Sequence, residues 1–290
     1  MNFRMIHLPT NQGHGVARRK SLETCSHGLV ALMDADDISV PNRFEKQLRA
    51  FMTNPKVDIV GGQIVEFAED PALTTGMRRV PLTDEELKKY LKKRCPFNQV
   101  SVMFKKETVE KAGGYQDWYC NEDYYLWARM VLKGAVFGNV PDTLVNVRTC
   151  NGMSARRGGW QYFKSETALQ VFLWANNLIG WPRLVYNVLL RLGGEVLLPN
   201  SLRAFAYKLL RKHPAPLEEI STSAKTAATD YPPFSVAMCV YGKDNPAHLK
   251  IALESVINQT VPPAEIVIVA DGPLPTSLQN ILDEYEKGEF

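Results

Sequence analysis

Apolar positions along this chain fall into short unbroken runs set between amphipathic stretches. Gly28 to Met33 (GLVALM) is a continuous apolar run of strand length. Runs of this kind occur in sheets buried on both faces, so the pattern predicts an α/β fold rather than an antiparallel sandwich. Residues 3–8, 57–60, 63–67 and 100–104 read as further strands. Residues 16–26, 42–53, 83–93, 106–112 and 122–133 read as helices. Local chemistry supports several of their ends. Pro41 suits a first helical turn, and Thr83 and Glu86 have capping-box spacing. Gly113-Gly114 stops one helix, and Glu122-Asp123 set two acids at the positive end of another.

Residues 160–212 are helical and apolar, studded with Arg and Lys. Residues 214–233 (PAPLEEISTSAKTAATDYPP) are small, polar and bounded by prolines, as a linker is. A second strand–helix–strand–helix unit follows over 234–240, 246–258, 265–270 and 277–286. Two strands do not make a stable domain alone, so this tail needs a sheet to join. Reading the tail into the start of the chain gives helix, loop, strand, Gly-containing turn (Asn11 to Gly15), helix, strand and a run of aspartates. The order therefore reads as circularly permuted, the alternative being a tail that serves a neighbouring copy. The expected units are 1–155 (catalytic and acceptor part), 156–213 (basic helical appendage), 214–232 (linker) and 233–290 (nucleotide-binding part of the same domain).

A length of 290 residues suits one large α/β domain with an appendage. The net charge of +3, from 34 basic and 31 acidic side chains, is too mild to call for nucleic acid. Five cysteines without C-x-x-C spacing argue against a disulfide framework or a zinc site and for a reducing cytosol. The first residues lack the apolar core of a signal peptide, and no stretch of ~18 apolar residues predicts a membrane span. Charge is concentrated over residues 156–212, with nine Lys/Arg against two Glu. Interleaved with Phe172, Trp174 and Trp181, it predicts peripheral contact with an anionic membrane face. Ordinary helical packing is the plainer alternative.

The candidate chemistry sits at strand and helix ends. Asp34-Ala35-Asp36-Asp37 closes the GLVALM run. Carboxylates there can hold Mn²⁺ or Mg²⁺ against a leaving diphosphate; alone, the same cluster would serve as a helix cap. Asp271 ends the apolar run EIVIVA, where ligands of open α/β sheets bind. Tyr241 and Asp244 follow the first tail strand. Glu122-Asp123 is a second carboxylate centre, suited to taking a proton from an attacking hydroxyl. Arg156, Arg157 and Trp160 bound a Gly-containing basic loop that fits a diphosphate or an acceptor phosphate.

Taken in cyclic order, FSVAMCVYGKDNP, SVINQT, EIVIVADGP, Asn11 with Ala17-Arg18, Asp34 to Asp37 and Asn121-Glu122-Asp123 resemble glycosyltransferase family 2, of the GT-A fold. The resemblance is to bacterial exopolysaccharide enzymes of the amylovoran-biosynthesis type. It implies a Rossmann-like mixed sheet flanked by helices, here permuted. It also implies inverting transfer from a UDP-sugar to a glycan or lipid-linked acceptor, at the inner membrane face, in surface-polysaccharide synthesis. By the same resemblance Asp36 with Asp34 holds the metal, Asp34 also lies on the ribose side, and Asp271 accepts from the uracil. Tyr241 borders the base and Arg18 faces the nucleotide, although Arg19 stands where the family has Asn. Asp123 is the base, Glu122 positions it or the acceptor, and Trp118 is a sugar platform. A sugar-1-phosphate nucleotidyltransferase would carry a Gly-rich loop where Tyr241–Pro246 stands. A non-catalytic nucleotide-sugar-binding protein would not hydrolyse donor.

Overall fold

The apolar runs assemble into one mixed sheet. The computed structural model describes residues 1–149, 159–197 and 230–288. Its strands are β1 (Asn2–His7), β2 (Leu29–Asp34), β3 (Ile38–Ser39), β4 (Ile59–Phe67), β5 (Thr74–Arg78), β6 (Met103–Lys105), β7 (Phe137–Arg148), β8 (Phe234–Val240) and β9 (Glu265–Ala270). They lie in the order β1-β9-β8-β2-β6-β4-β7-β3, with β5 against β4. The first four are mutually parallel. β6 runs antiparallel to both β2 and β4. The tail strands β8 and β9 thus occupy the interior of the sheet, between the two strands that open the chain.

Helices cover both faces. α2 (Arg43–Thr53), α8 (Pro246–Ile257) and α9 (Thr276–Lys287) pack Phe44, Leu48, Leu249, Leu253, Leu278 and Leu282 on one side. α1 (His14–Thr24), α3 (Asp84–Leu91), α5 (Glu122–Leu132) and α6 (Trp160–Ala175) pack Leu22, Leu87, Trp127, Leu169 and Leu173 on the other. Burial on both faces is why β8 and β9 read as unbroken apolar runs. The described residues also form the short α4 (Lys106–Lys111) and α7 (Trp181–Arg191), the latter followed by a π-helical turn over Leu192–Leu197. The capping box at Thr83 and Glu86 forms as its spacing implies. The whole is the mixed α/β sheet, flanked by helices, of a GT-A fold.

Several elements differ from their sequence reading. β4 is one strand, not two. Its Gly61-Gly62 pair marks a close approach rather than a break, since a Cβ on Gly62 would lie 2.5 Å from Leu144 Cδ1. β7 escaped prediction because Pro141, Asp142 and Asn146 interrupt its apolar pattern, and its pairing with β4 shifts register near Gln63. Residues 99–101 form a 3₁₀ turn ahead of β6. The helical stretch from 160 divides at Asn177, whose φ is 59°, and Gly180 caps α7. Residues 198–212, most of the linker, and Arg156 and Arg157 lie outside the described residues. Cys25, Cys95 and Cys239 are free thiols. Among the described residues no helix is long and apolar enough to cross a membrane.

Two carboxylates at opposite ends of β9 fasten the tail to the opening segment. At the start, Glu265 accepts from Ser26 N (2.8 Å), Ser26 Oγ (2.9 Å), Ser235 Oγ (2.5 Å) and Arg4 Nη1 (3.2 Å). Burial works to raise its pKa. The hydrogen bonds outweigh it and hold the group at about 2, from 4.5. At the far end, Asp271 Oδ1 and Oδ2 accept from Gln12 N (2.7 Å) and Gly13 N (3.0 Å). Beside it Gly272, at φ 93°, lies so close to the opening loop that a Cβ would sit 2.7 Å from Asn11 N. The last turn of α9 lies beside β1, with Tyr285 stacked on Phe3 at 5.7 Å.

Candidate active site

The four parallel strands end together at one rim, as the register shows: His7 pairs with Ala270, Val240 with Ala270, and Asp34 with Cys239. Loops beyond carboxyl ends of parallel strands are where α/β sheets bind ligands. The rim therefore gathers Asp34 and its neighbours, Tyr241, Asp244 and Asp271 from distant parts of the sequence.

Arg18 joins the two carboxylate centres. It rises from the first turns of α1, its Nη2 donating to Asp34 Oδ1 and its Nη1 to Glu122 Oε1, each at 2.9 Å. Its side chain is 9% exposed and that of Glu122 is 12%. Burial works against the Arg18 charge, and Asp34 and Glu122 outweigh it, so its pKa is raised. One guanidinium fork thus spans residues 88 positions apart in α5 and β2. The sequence marked Arg18 only as a residue facing the nucleotide.

The aspartate run divides by depth. Asp37 is buried and its Oδ1 accepts from Arg148 N at 2.8 Å. Burial, then the charges of Asp34 and Asp36, push it well above the ordinary carboxylate range. Arg148 Nε also donates to the Asp36 carbonyl at 3.2 Å, so the end of β7 shapes the loop. Asp34 and Asp36 stay half-buried at the rim. Beneath them Arg43 is fully buried, donating to the Leu32 carbonyl at 2.7 Å, and burial lowers its pKa to about 9. Asp244 Oδ2 accepts from Tyr241 N at 2.9 Å, closing the loop after β8. Burial raises Asp244 to about 6, with Asp36 and Asp34 adding to the effect.

No group of three or more His, Cys, Asp or Glu among the described residues could hold a metal by itself. Asp34 and Asp36 nevertheless suit a cation that keeps waters and takes substrate phosphates as its other ligands, the usual manner of Mg²⁺. The donor set is all oxygen, and it faces the rim where a diphosphate would lie.

At the second centre, Asp123 Oδ1 accepts from Tyr124 N at 2.6 Å and its Oδ2 from Cys95 Sγ at 3.5 Å. Burial and then Glu122 raise the Asp123 pKa, against the Tyr124 N–H and Arg18. A carboxylate so raised is a stronger base once ionised. Trp118 is half-buried, its ring tilted by 33° against Tyr125 at 4.2 Å, with Nε1 donating to the Ser165 carbonyl at 3.4 Å. One ring face therefore packs against α5. Trp160 is exposed and stacks on Phe163 at 5.3 Å.

Sequence reasoning missed Arg148, Cys95 and Cys239. Cys239 lies under Arg18, Asp34 and Asp271, and burial pushes its thiol up to about 12. Arg148 carried one faint mark, a cation closing the run V-N-V. The cysteines carried none.

The model of the family "Glycosyl transferase family 2" matches residues 1–111 and 235–290. A protein of Haemophilus influenzae named "Uncharacterized glycosyltransferase" is 38% identical over 210 residues, covering 72% of this chain and 78% of its own. The amylovoran biosynthesis glycosyltransferase AmsE of Erwinia amylovora is 36% identical over 208 residues, covering 72% and 77%. An Escherichia coli protein named UDP-Gal:alpha-D-GlcNAc-diphosphoundecaprenol beta-1,3-galactosyltransferase is 35% identical over 208 residues, covering 72% and 75%.

Proposed function

The chain belongs to glycosyltransferase family 2 and is a transferase of polysaccharide biosynthesis, and from that premise we propose that it moves a sugar from a UDP-sugar to a glycan or lipid-linked acceptor with inversion. The observation that carries this is the Arg18 bridge, which joins the donor-side Asp34 to the acceptor-side Glu122. Asp271, Tyr241 and Asp244 frame the nucleotide end. Each Asp271 oxygen keeps a lone pair beyond its backbone bond, open to the uracil N3–H. The E. coli relative's printed name, with its UDP-Gal donor and lipid-diphosphate acceptor, supports these substrate classes.

In the proposed step the acceptor hydroxyl attacks the anomeric carbon while Asp123 takes its proton. The bond from that carbon to the diphosphate breaks, and UDP leaves with the electron pair. Glu122, fixed by Arg18, orients the acceptor. Mn²⁺ or Mg²⁺, held by Asp36 and Asp34, supplies neutralising charge to the departing diphosphate when bound. The site faces the inner side of the cell membrane, where a lipid-linked acceptor is presented. The test is transfer and donor hydrolysis over a panel of UDP-sugars with Mn²⁺. Asp36→Ala and Asp123→Asn should each abolish transfer, and Asp123→Asn should still be stabilised against heat by donor. Full transfer by Asp123→Asn would remove the base from its role.

The same reading includes a permuted order of segments. The two-part family match, the interior place of β8 and β9, and the stacking of Tyr285 on Phe3 support it. A monomer by mass in solution, with transfer activity, is the expected result. An obligate dimer that exchanges 233–290 would overturn it.

A further inference from the structure

α7 leaves a broad apolar row facing outward. Surface helices usually turn their apolar stripe inward. The inward side of α7 packs Leu184, partly buried, against the core and buries Asn187, whose Nδ2 donates to the Lys92 carbonyl at 3.0 Å and to Gln170 Oε1 at 2.7 Å. The outward row is Trp181 (68% exposed), Val185, Tyr186, Leu189 (61%) and Leu190 (60%). These positions recur at spacings of three and four residues and make one continuous stripe. Exposed apolar surface of this extent marks an interaction site.

Beside the stripe lies an open groove of about 440 Å³ between the end of α3 and the start of α7. Its charged lining is Lys89, Lys92, Lys93 and Arg183, with no acid among the lining residues. The three lysines are exposed. Arg183 Nε is buried without a hydrogen-bond partner in the described structure. Arg191, by contrast, is paired with Glu166 at 2.6 Å, and its Nη2 donates to the Lys93 carbonyl at 3.1 Å. α7 is therefore pinned to the lysine-bearing end of α3, and the apolar stripe and the cations form one rigid face.

We propose that this face docks on a bilayer of anionic lipid, the groove receiving headgroup phosphates while Trp181, Leu189 and Leu190 enter the acyl boundary. Charge complementarity selects this occupant: a purely apolar partner would leave the four cations of the groove unused. Docking also has a geometric consequence. Two residues beyond Lys93, Cys95 touches Asp123 Oδ2, and the Leu91 carbonyl accepts from the Tyr124 hydroxyl. The basic end of α3 thus borders the acceptor side, and a docked enzyme holds it against the bilayer. This deepens the membrane-facing placement proposed above, yet vesicle binding reads it without any transfer.

The experiment is co-sedimentation of the full chain with phosphatidylcholine vesicles and with vesicles containing phosphatidylglycerol, together with tryptophan emission. Binding to the anionic vesicles only, weakened by salt and accompanied by a blue shift, is expected. Lys92→Ala with Lys93→Ala should weaken partition on the order of 20-fold, about fivefold for each cation. Leu189→Ser with Leu190→Ser should abolish the blue shift. Both pairs are exposed, so melting temperatures should stay at the wild-type value. Equal binding to both vesicle types, or no binding by the wild type, would overturn the proposal. So would a dimer that Leu190→Ser dissociates while vesicle binding is unchanged, since a second copy would then own the face.

Discussion

Replacing Glu265 by Gln isolates the anchor between tail and body. The carboxylate is 1% exposed and accepts four hydrogen bonds, two from Ser26, one from Ser235 and one from Arg4. A carboxyl moved from 4.5 to about 2 on folding corresponds to about 3 kcal/mol of stability. Arg4 is 41% exposed, and solvent screening there reduces the expected value to about 2 kcal/mol. The sign follows from a lowered pKa. The contribution is complete above pH 4.5 and is lost as pH falls toward 2. Urea unfolding of both proteins between pH 7 and pH 2.5 measures the gap. All five tryptophans lie outside the tail, so their emission reports the body, while circular dichroism reports the whole. Glu265→Gln should be less stable by about 2 kcal/mol near pH 7, and the gap should shrink below half near pH 3. The two probes should agree if tail and body unfold together. A gap that does not change with pH would refute the assignment of this stability to the ionised carboxylate.

Three further outcomes are expected. Arg18→Lys keeps the charge but cannot span Asp34 and Glu122 at once, so turnover should fall at least tenfold with only modest loss of donor affinity, read by steady-state kinetics and donor titration. Gly272→Ala places a Cβ against Asn11 N at positive φ and should cost about 2 kcal/mol or more, read as a lower melting temperature. Asp244→Asn should raise the melting temperature near pH 8 and leave it unchanged near pH 4. Burial lifts the Asp244 pKa to about 6, so ionisation above that value opposes folding.

What the sequence made legible follows from locality. β8 and β9 match their apolar runs residue for residue because strands buried on both faces leave no alternation to misread. β7 was illegible because its partner β4, not its own pattern, makes it a strand, with Pro141 and the register shift near Gln63 absorbed by that pairing. The glycines of β4 read as a break because their reasons, the approach of Asn139 to Gly61 and of Leu144 to Gly62, lie 78 and 82 positions away. In the site, the charged positions were visible as residue types at strand and helix ends. Their partners were not: the fork of Arg18, the hold of Arg148 on Asp37 and the contact of Cys95 with Asp123 join distant segments, and one sequence records no such pairing.

The carboxylates at the two ends of β9 have a consequence for strand exchange. Backbone ladders are nearly indifferent to side chains, so the slot between β1 and β8 would accept many apolar strands, and a shift of two residues would keep every side chain on its own face. A slip would leave Glu265 or Asp271 without its N–H donors, an uncompensated buried charge costing about 3–5 kcal/mol, and a foreign strand would leave Ser26 N, Gln12 N and Gly13 N without their acceptors. Strand β9 therefore acts as a ruler closed at both ends, making alignment of the tail all-or-none and discriminating this chain's own segment from a look-alike strand offered by another molecule.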